Sequence, residues 1–170
     1  MPKDELSERL LKLVLSTNHV DTLSHLGFYA HVAQGNVVEI GTDVGNSTTA
    51  FLYGVTEKGG HVYSIDIRDC SSAHKGNPNW TFIQGDTQTE QERLKELLPA
   101  EIDVLYIDGG HEYLQVLSDY ASFAPLVKKG GLVLFHDVEH YQFPGTARAF
   151  RELGGVEIRS GSWGLGVIRV

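Results

Sequence analysis

Val37-Val-Glu-Ile-Gly-Thr-Asp-Val-Gly-Asn-Ser-Thr48 is the stretch that decides the fold. Its apolar opening, from Val37 to Ile40, reads as a strand, and Asn46 to Thr56 reads as a helix stopped by Gly59-Gly60. Between them, Gly41 and Gly45 let the backbone turn tightly and let a ligand come close to it. The helix that follows offers unpaired N–H groups to an anion such as a carboxylate. A dinucleotide fingerprint needs G-x-G-x-x-G, whereas this loop is Gly-x-x-x-Gly with Asp43 at the central glycine position. A carboxylate there repels a pyrophosphate, so the loop suits a ligand without phosphates.

Downstream of this unit, strands and helices alternate. Strand His61–Asp66 is followed by an irregular polar stretch, Arg68–Asn79, then by strand Trp80–Ile83 and helix Thr89–Leu98. Strand Asp103–Asp108 leads into helix Glu112–Ala124, broken by Pro125, whose continuation is expected to end at Lys128-Lys-Gly-Gly131 with an αL cap. Strand Leu132–Phe135, loop Val138–Pro144 and helix Thr146–Leu153 complete the alternation. The last two runs, Val156–Arg159 and Leu165–Val170, are joined by Ser160-Gly-Ser-Trp-Gly164, which permits an antiparallel hairpin and not a crossover. Five βα units and a hairpin give a doubly wound, Rossmann-like α/β sheet of seven strands, mostly parallel, with an antiparallel C-terminal hairpin. Upstream, residues 1–35 read as helices: a stripe of Leu6, Leu10, Leu11, Leu13, Val14 and Leu15, and a second from about Thr22 to Ala33. They are expected to form a separate N-terminal unit, either covering the pocket or pairing two subunits, ahead of the main domain at 36–170.

Acidic residues recur where the strands run out: Glu39, Asp66, Asp86, Asp108 and Asp137. Ligands of open α/β sheets bind at the carboxyl ends of the strands, so the sheet is expected to gather five carboxylates in one crevice. Gathering like charges is costly for folding, which points to a ligand rich in hydroxyls, amines or metal. Asp66, at the end of the second strand, can accept both hydroxyls of a ribose, and Asp86 can reach an exocyclic amine. Either could instead be a turn or helix-capping aspartate.

Composition narrows the function classes. At 170 residues, with 41% hydrophobic and 21% charged residues, the chain fits one soluble domain. A formal charge of −8 and no basic stripe argue against nucleic acid. Cys70 is the only cysteine, which excludes a disulfide framework and a thiolate metal cage. No apolar run approaches the roughly 20 residues that span a bilayer. The acidic start, Met1-Pro-Lys-Asp-Glu-Leu, is unlike a secretory or mitochondrial signal, and a cytoplasmic location is expected.

Asp108-Gly-Gly-His111 and His136-Asp137 form a second constellation at the ends of strands expected to be neighbours. Two carboxylates and an imidazole suit a hard or borderline divalent ion with positions open to water or substrate. His111, at a helix start, is either a base or a cap, and a neutral imidazole is suited to accepting a hydroxyl proton near neutral pH. His19, His25, His31, His61 and His74 are expected at the surface. His140-Tyr141 either floors an acceptor pocket or lies in a solvated loop, and Trp163 either stacks on an acceptor or packs on the sheet edge.

Taken together, Val37-Val-Glu-Ile-Gly-Thr-Asp-Val-Gly-Asn-Ser-Thr, Ser64-Ile-Asp, Gly85-Asp, Tyr106-Ile-Asp-Gly-Gly-His and Leu134-Phe-His-Asp resemble class I S-adenosylmethionine-dependent methyltransferases. The order is similar, more narrowly, to the metal-dependent O-methyltransferases, the group of catechol O-methyltransferase and the macrocin-type sugar methyltransferases. The resemblance covers about residues 36–170 and implies a small-molecule hydroxyl acceptor. It implies that Gly41 and Gly45 line the cofactor with Ser47 near its methionine end, that Asp66 holds the ribose, that Ile67 packs on the adenine and that Asp86 binds its amine. Glu39, Thr42, Thr87 and Asp108 complete the implied cofactor set. It further implies a metal, magnesium or manganese, on Asp108, His136 and Asp137, with His111 as general base beside Asp108. His136 departs from the usual acid, which lowers the site's negative charge and makes manganese or another transition ion plausible.

Three rivals stand beside that reading. An S-adenosylmethionine- or nucleotide-binding protein without turnover would use the same loop. A metal-dependent hydrolase would use Asp108, His111, His136 and Asp137 but leave Gly41 and Asp66 unexplained. A nicotinamide-dependent oxidoreductase is opposed by Asp43 and by the terminal hairpin.

Overall fold

Side chains that alternate along the central strands feed two different cores, and this is what makes the sheet doubly covered. The computed structural model describes residues 3–15, 25–158 and 163–170. On one face Val38, Ile40, Ile65, Leu105, Ile107 and Phe135 meet Leu94, Val116, Phe123 and Phe150 from helices. On the other, Val37, Val62, Val104, Tyr106 and Leu134 meet Leu6, Leu26, Tyr29, Phe51 and Val55. A strand's period of two puts neighbours on opposite faces, so a nearly continuous apolar run serves both layers.

The described elements run α1 (Lys3–Val14), α2 (Leu26–Val32), β1 (Gly35–Ile40), α3 (Asn46–Lys58), β2 (Gly60–Asp66) and β3 (Trp80–Gln84). Then follow α4 (Gln91–Glu96), β4 (Ile102–Ile107), α5 (Tyr113–Phe123), a 3₁₀ turn (Ala124–Leu126), β5 (Val127–His136), α6 (Pro144–Leu153), β6 (Val156–Ile158) and β7 (Leu165–Arg169). The sheet order is β3-β2-β1-β4-β5-β7-β6. The first five strands in that order are parallel, and β7 is antiparallel to both β5 and β6. The chain thus winds outward to β3, then crosses back to β4 beside β1. That reversal opens a crevice at the carboxyl ends of β1 and β4, the usual ligand position in such sheets.

The expected sheet is the one observed, with local corrections. The helix around Thr89–Leu98 is only α4, because the segment before it is a turn in which Asp86 N–H donates to Glu90 Oε1 and Thr89 Oγ1 donates to Asp86 Oδ2. Pro125 ends α5 as expected, but no helix resumes. Val127-Lys-Lys-Gly-Gly131 instead heads β5, with Val127 paired to Ile102 and a register shift before Val104 pairs with Leu132. Gly130 takes φ +84, and a Cβ at Gly131 would sit 2.8 Å from the Asp103 carbonyl oxygen, so the glycines form an irregular strand entry and not a helix cap. Residues 22–24 of the second N-terminal stripe, residue 159 of the penultimate run and residues 160–162 of its connection lie outside the described residues, as does His19. No helix among the described residues is long and apolar enough to cross a membrane.

Candidate active site

The loop between β1 and α3 is held from below. Glu39, fully buried on β1, accepts hydrogen bonds from Ser47 Oγ (2.5 Å), Thr48 Oγ1 (2.6 Å) and Ser64 Oγ (2.6 Å). Burial penalises its charge more than these hydroxyls favour it, and its pKa is pushed up to about 7. The sequence reading counted Glu39 among rim acids; the structure sets it behind the loop, tying the start of α3 to β1 and β2. His74 closes the other side. Its Nε2 lies 3.1 Å from the Gly45 carbonyl oxygen and 3.2 Å from Thr49 Oγ1, and burial pushes its pKa down to about 4. His74 and His25 are therefore buried and not surface residues.

Above this loop lies a cavity of about 430 Å³, lined among others by Gly41, Thr42, Ser47, Asp66, Ile67, Asp86, Thr87 and Asp108. That volume is in the range of small-molecule and cofactor sites. Asp66 Oδ2 accepts the backbone N–H groups of Thr42 (3.0 Å) and Asp43 (3.1 Å), and Oδ1 accepts that of Arg68 (2.9 Å). Burial opposes its charge, but these donors outweigh it and hold its carboxyl below the usual range. Arg68 Nε also lies 3.5 Å from Oδ1, and of the carboxylate's roughly four lone-pair positions at most one is left for a ligand hydroxyl. Ile67 is exposed in the cavity wall, an apolar surface with no protein cover. Asp86 also lines the cavity while its oxygens accept from Gln88 N–H (2.8 Å) and Thr89 Oγ1 (3.1 Å), the turn role weighed for it above.

Two lining residues carried no sequence signal. Gln88 is fixed by a 2.8 Å hydrogen bond to buried Asp119. Arg68 pairs with Asp43 at 2.8 Å across the cavity mouth, so the cation in the lining is already neutralised. A phosphate would meet that pair and several carboxylates. Arg9 of α1 donates to the carbonyls of Ala73 (2.8 Å) and Val44 (3.2 Å), bracing the loop from the N-terminal side.

Asp108 belongs to this cavity and also to a cluster beside it. His111 Nε2 lies 2.8 Å from Asp137 Oδ2 and 3.9 Å from Asp108 Oδ1. His136 Nδ1 lies 2.9 Å from Asp137 Oδ1 and 3.4 Å from Asp108 Oδ1. Burial opposes a charge on His136, but Asp108 and Asp137 outweigh it and push its pKa up to about 11. Burial likewise opposes the charge of Asp137, and His111 and His136 hold its pKa down to about 2. The His111 ring stacks on Phe143 at 3.9 Å, tilted by 20°. Asp137 takes φ +61, a left-handed conformation that turns its carboxylate toward the other members.

The cluster fits a divalent cation. Asp108, His111 and Asp137 each offer one ligand atom, all within 4.8 Å of one another. His111 Nε2, close to Asp137 Oδ2, and Asp137 Oδ1, close to His136 Nδ1, are both buried without a properly directed hydrogen bond among the described residues. Two carboxylates and an imidazole match hard or borderline ions. The sequence reading placed His136 in the ligand set and His111 beside it. In the structure His136 is buried against both carboxylates, and His111 reaches them from the more open side.

The five rim acids therefore do not share one crevice: Asp66, Asp86 and Asp108 line the cavity, Asp137 faces the cluster, and Glu39 is buried. Beyond the cluster, His140 is buried and stacks on Trp163 at 3.6 Å with planes 3° apart, while Tyr141 is exposed. That pair uses one face of Trp163 inside the protein.

A family model described as "Methyltransferase domain" matches residues 38–138, which is more than half of the chain. This chain belongs to that methyltransferase family. The match runs from β1 to the residue after Asp137, so it contains the loop, the cavity acids and the cluster. Among solved structures, the MycE methyltransferase of the mycinamycin biosynthetic pathway, in complex with Mg, SAH and mycinamycin VI, superposes with a TM-score of 0.70 at 19% identity, covering 98% of this chain and 54% of that one. The O-methyltransferase of Bacillus cereus in complex with SAH gives a TM-score of 0.70 at 16% identity, covering 100% and 93%. At such identities these likenesses establish the fold, including the antiparallel C-terminal strands. An uncharacterized protein of Acanthamoeba polyphaga mimivirus is 40% identical over 48 residues, 28% of this chain and 22% of that protein. The chain thus spans about half the length of MycE and matches less than a quarter of the viral relative.

Proposed function

We propose that this chain transfers the methyl group of S-adenosylmethionine to a hydroxyl of a small molecule, assisted by a divalent ion. One observation carries the reading: Asp108 lines the large cavity and is also a member of the acid–imidazole cluster. A cofactor in the first and an acceptor at the second would meet at that residue. Asp66 takes a ribose hydroxyl, Ile67 covers the adenine with Asp86 and Thr87 at its polar edge, and Gly41, Thr42 and Ser47 form the wall nearest the methionine end, with Gly45 outside the cavity lining at the start of α3. Glu39 acts from behind by fixing Ser47 and Thr48. The similar MycE structure is a complex with Mg, SAH and mycinamycin VI, which supports a metal and a small-molecule acceptor here.

Asp108 and Asp137, with His136 Nδ1 beside both carboxylates, would hold the ion. A divalent ion there supplies a Lewis acid that lowers the pKa of a hydroxyl. His111 would take the hydroxyl proton at whichever ring nitrogen is not turned to a carboxylate, as oxygen attacks the methyl carbon; the new C–O bond forms as the C–S bond breaks, releasing S-adenosylhomocysteine. Stacking on Phe143 fixes the imidazole plane, so only the proton has to move. The N-terminal helices serve the site in this reading, with Arg9 bracing the loop.

His111→Ala tests the assignment. As a base, its loss leaves S-adenosylhomocysteine and Mn²⁺ affinities within about twofold and lowers kcat by about 10²–10⁴. A comparable loss of Mn²⁺ affinity would make His111 a ligand instead. Asp66→Ala separates the hydrolase reading: it weakens S-adenosylhomocysteine binding under our assignment and leaves a hydrolase indifferent.

A further inference from the structure

Asp108 is held in place by a buried chain of phenols that begins in the N-terminal helices. Tyr106 precedes it on β4 by two residues and is fully buried, and its hydroxyl donates to Asp108 Oδ2 at 2.8 Å. Tyr29 of α2, also fully buried, donates to the Tyr106 hydroxyl at 3.2 Å. The direction of both bonds is forced. A carboxylate oxygen accepts, so the Tyr106 O–H points at Asp108 as a hydrogen-bond donor and receives the Tyr29 O–H at its own lone pair.

The two rings lie in an apolar layer, 5.0 Å apart, with Phe51 at 5.1 Å from Tyr29 and 5.3 Å from Tyr106. A hydroxyl buried among such rings without a partner is costly, so the chain has one satisfied arrangement. Its effect on Asp108 is specific. Oδ2 is taken by the phenol, which leaves Oδ1 as the oxygen nearest His111 and His136 in the cluster. A tyrosine among the aliphatic residues of β4 is otherwise unexplained by packing, since a phenylalanine would fill the same space.

We propose that Tyr106, backed by Tyr29, is a positioning residue that sets the orientation of Asp108 for cation binding, and that α2 is thereby part of the metal site. The inference rests on the metal-assisted reading above. Groups that hydrogen-bond a metal ligand typically contribute about 10–100-fold to metal affinity. Tyr106→Phe removes one hydroxyl and no ring; Tyr29→Phe does the same one link further away.

The test is Mn²⁺ binding followed by the electron paramagnetic resonance signal of the free ion, with S-adenosylhomocysteine affinity measured by calorimetry on the same samples. Expected for Tyr106→Phe is Mn²⁺ affinity weakened about 10-fold or more, with S-adenosylhomocysteine affinity within about twofold of the parent. Tyr29→Phe is expected to move Mn²⁺ affinity in the same direction by less; should Tyr106→Phe not fold, this variant carries the test alone. Parent-like Mn²⁺ affinity in Tyr106→Phe overturns the proposal while leaving the metal reading intact. Parent-like affinity in Tyr29→Phe removes α2 from it. Absence of Mn²⁺ binding by the parent protein overturns both.

Discussion

Replacing Gly41 by alanine probes the closest backbone approach in the site. Gly41 sits at φ +94, and a Cβ there would lie 2.1 Å from the Asp108 carbonyl oxygen, 2.6 Å from its carbon and 3.0 Å from Gly109 N. These are backbone atoms, and β4 is pinned to β1 just there by the 2.8 Å bond from Asp108 N–H to the Ile40 carbonyl. No side chain can swing away to relieve the overlap, so one of the two chains must shift. A left-handed conformation costs an L-residue about 1–2 kcal/mol, and overpacking costs about 1–3 kcal/mol more. The sum, about 2–5 kcal/mol, is survivable for a domain of ordinary stability, about 5–15 kcal/mol. Gly76→Ala is the control: it has φ +82 with nothing within 4 Å of the added Cβ, and so carries a positive-φ cost without the overlap. Urea unfolding is expected to show Gly41→Ala less stable than Gly76→Ala, with S-adenosylhomocysteine affinity reduced at least about tenfold only in the former. Equal stability of the two variants and unchanged affinity would refute the contact between loop and β4 on which the site is built.

Two pH experiments test the groups behind the loop. Glu39 has its pKa raised from 4.5 to about 7, so its neutral form favours folding below pH 4.5 and that contribution is lost as pH rises through about 7; Glu39→Gln should flatten the fall in urea midpoint between pH 5 and 8, and an unchanged slope would count against it. His74 has its pKa lowered from 6.5 to about 4, so its contribution is present above pH 6.5 and disappears as pH falls through about 4. Its imidazole proton resonances should hold their neutral positions down to pH 5; titration near 6.5 would mean the ring does not sit under Gly45.

Most of the sheet was legible because its strands are short and apolar, and each of the five parallel strands ends at or just before an acid or glycine. Asp66 and Asp108 were legible for the same reason: position at a strand end predicts the rim. The rest depended on tertiary contact. Lys128-Lys-Gly-Gly131 carries a helix-stop signature, and only pairing with Ile102 across a register shift makes it strand. Glu39 gave no sign that Ser47, Thr48 and Ser64 would converge on it, because Ser64 arrives from a neighbouring strand. His74 lies in an irregular loop whose sequence does not encode the cavity behind Gly45. Tyr106 was read only as the start of Tyr106-Ile-Asp-Gly-Gly-His, and its part in the site required Tyr29 from 77 positions away. The N-terminal helices likewise showed stripes, while the reach of Arg9 to Val44 could only be seen in three dimensions.

Crystals soaked with S-adenosylhomocysteine and Mn²⁺, measured at the manganese absorption edge, bear on all of this at once. The account predicts one anomalous peak between the carboxylates of Asp108 and Asp137, with the nucleoside in the adjoining cavity and its ribose on Asp66. A peak elsewhere, or a nucleoside bound away from Asp66, would contradict it.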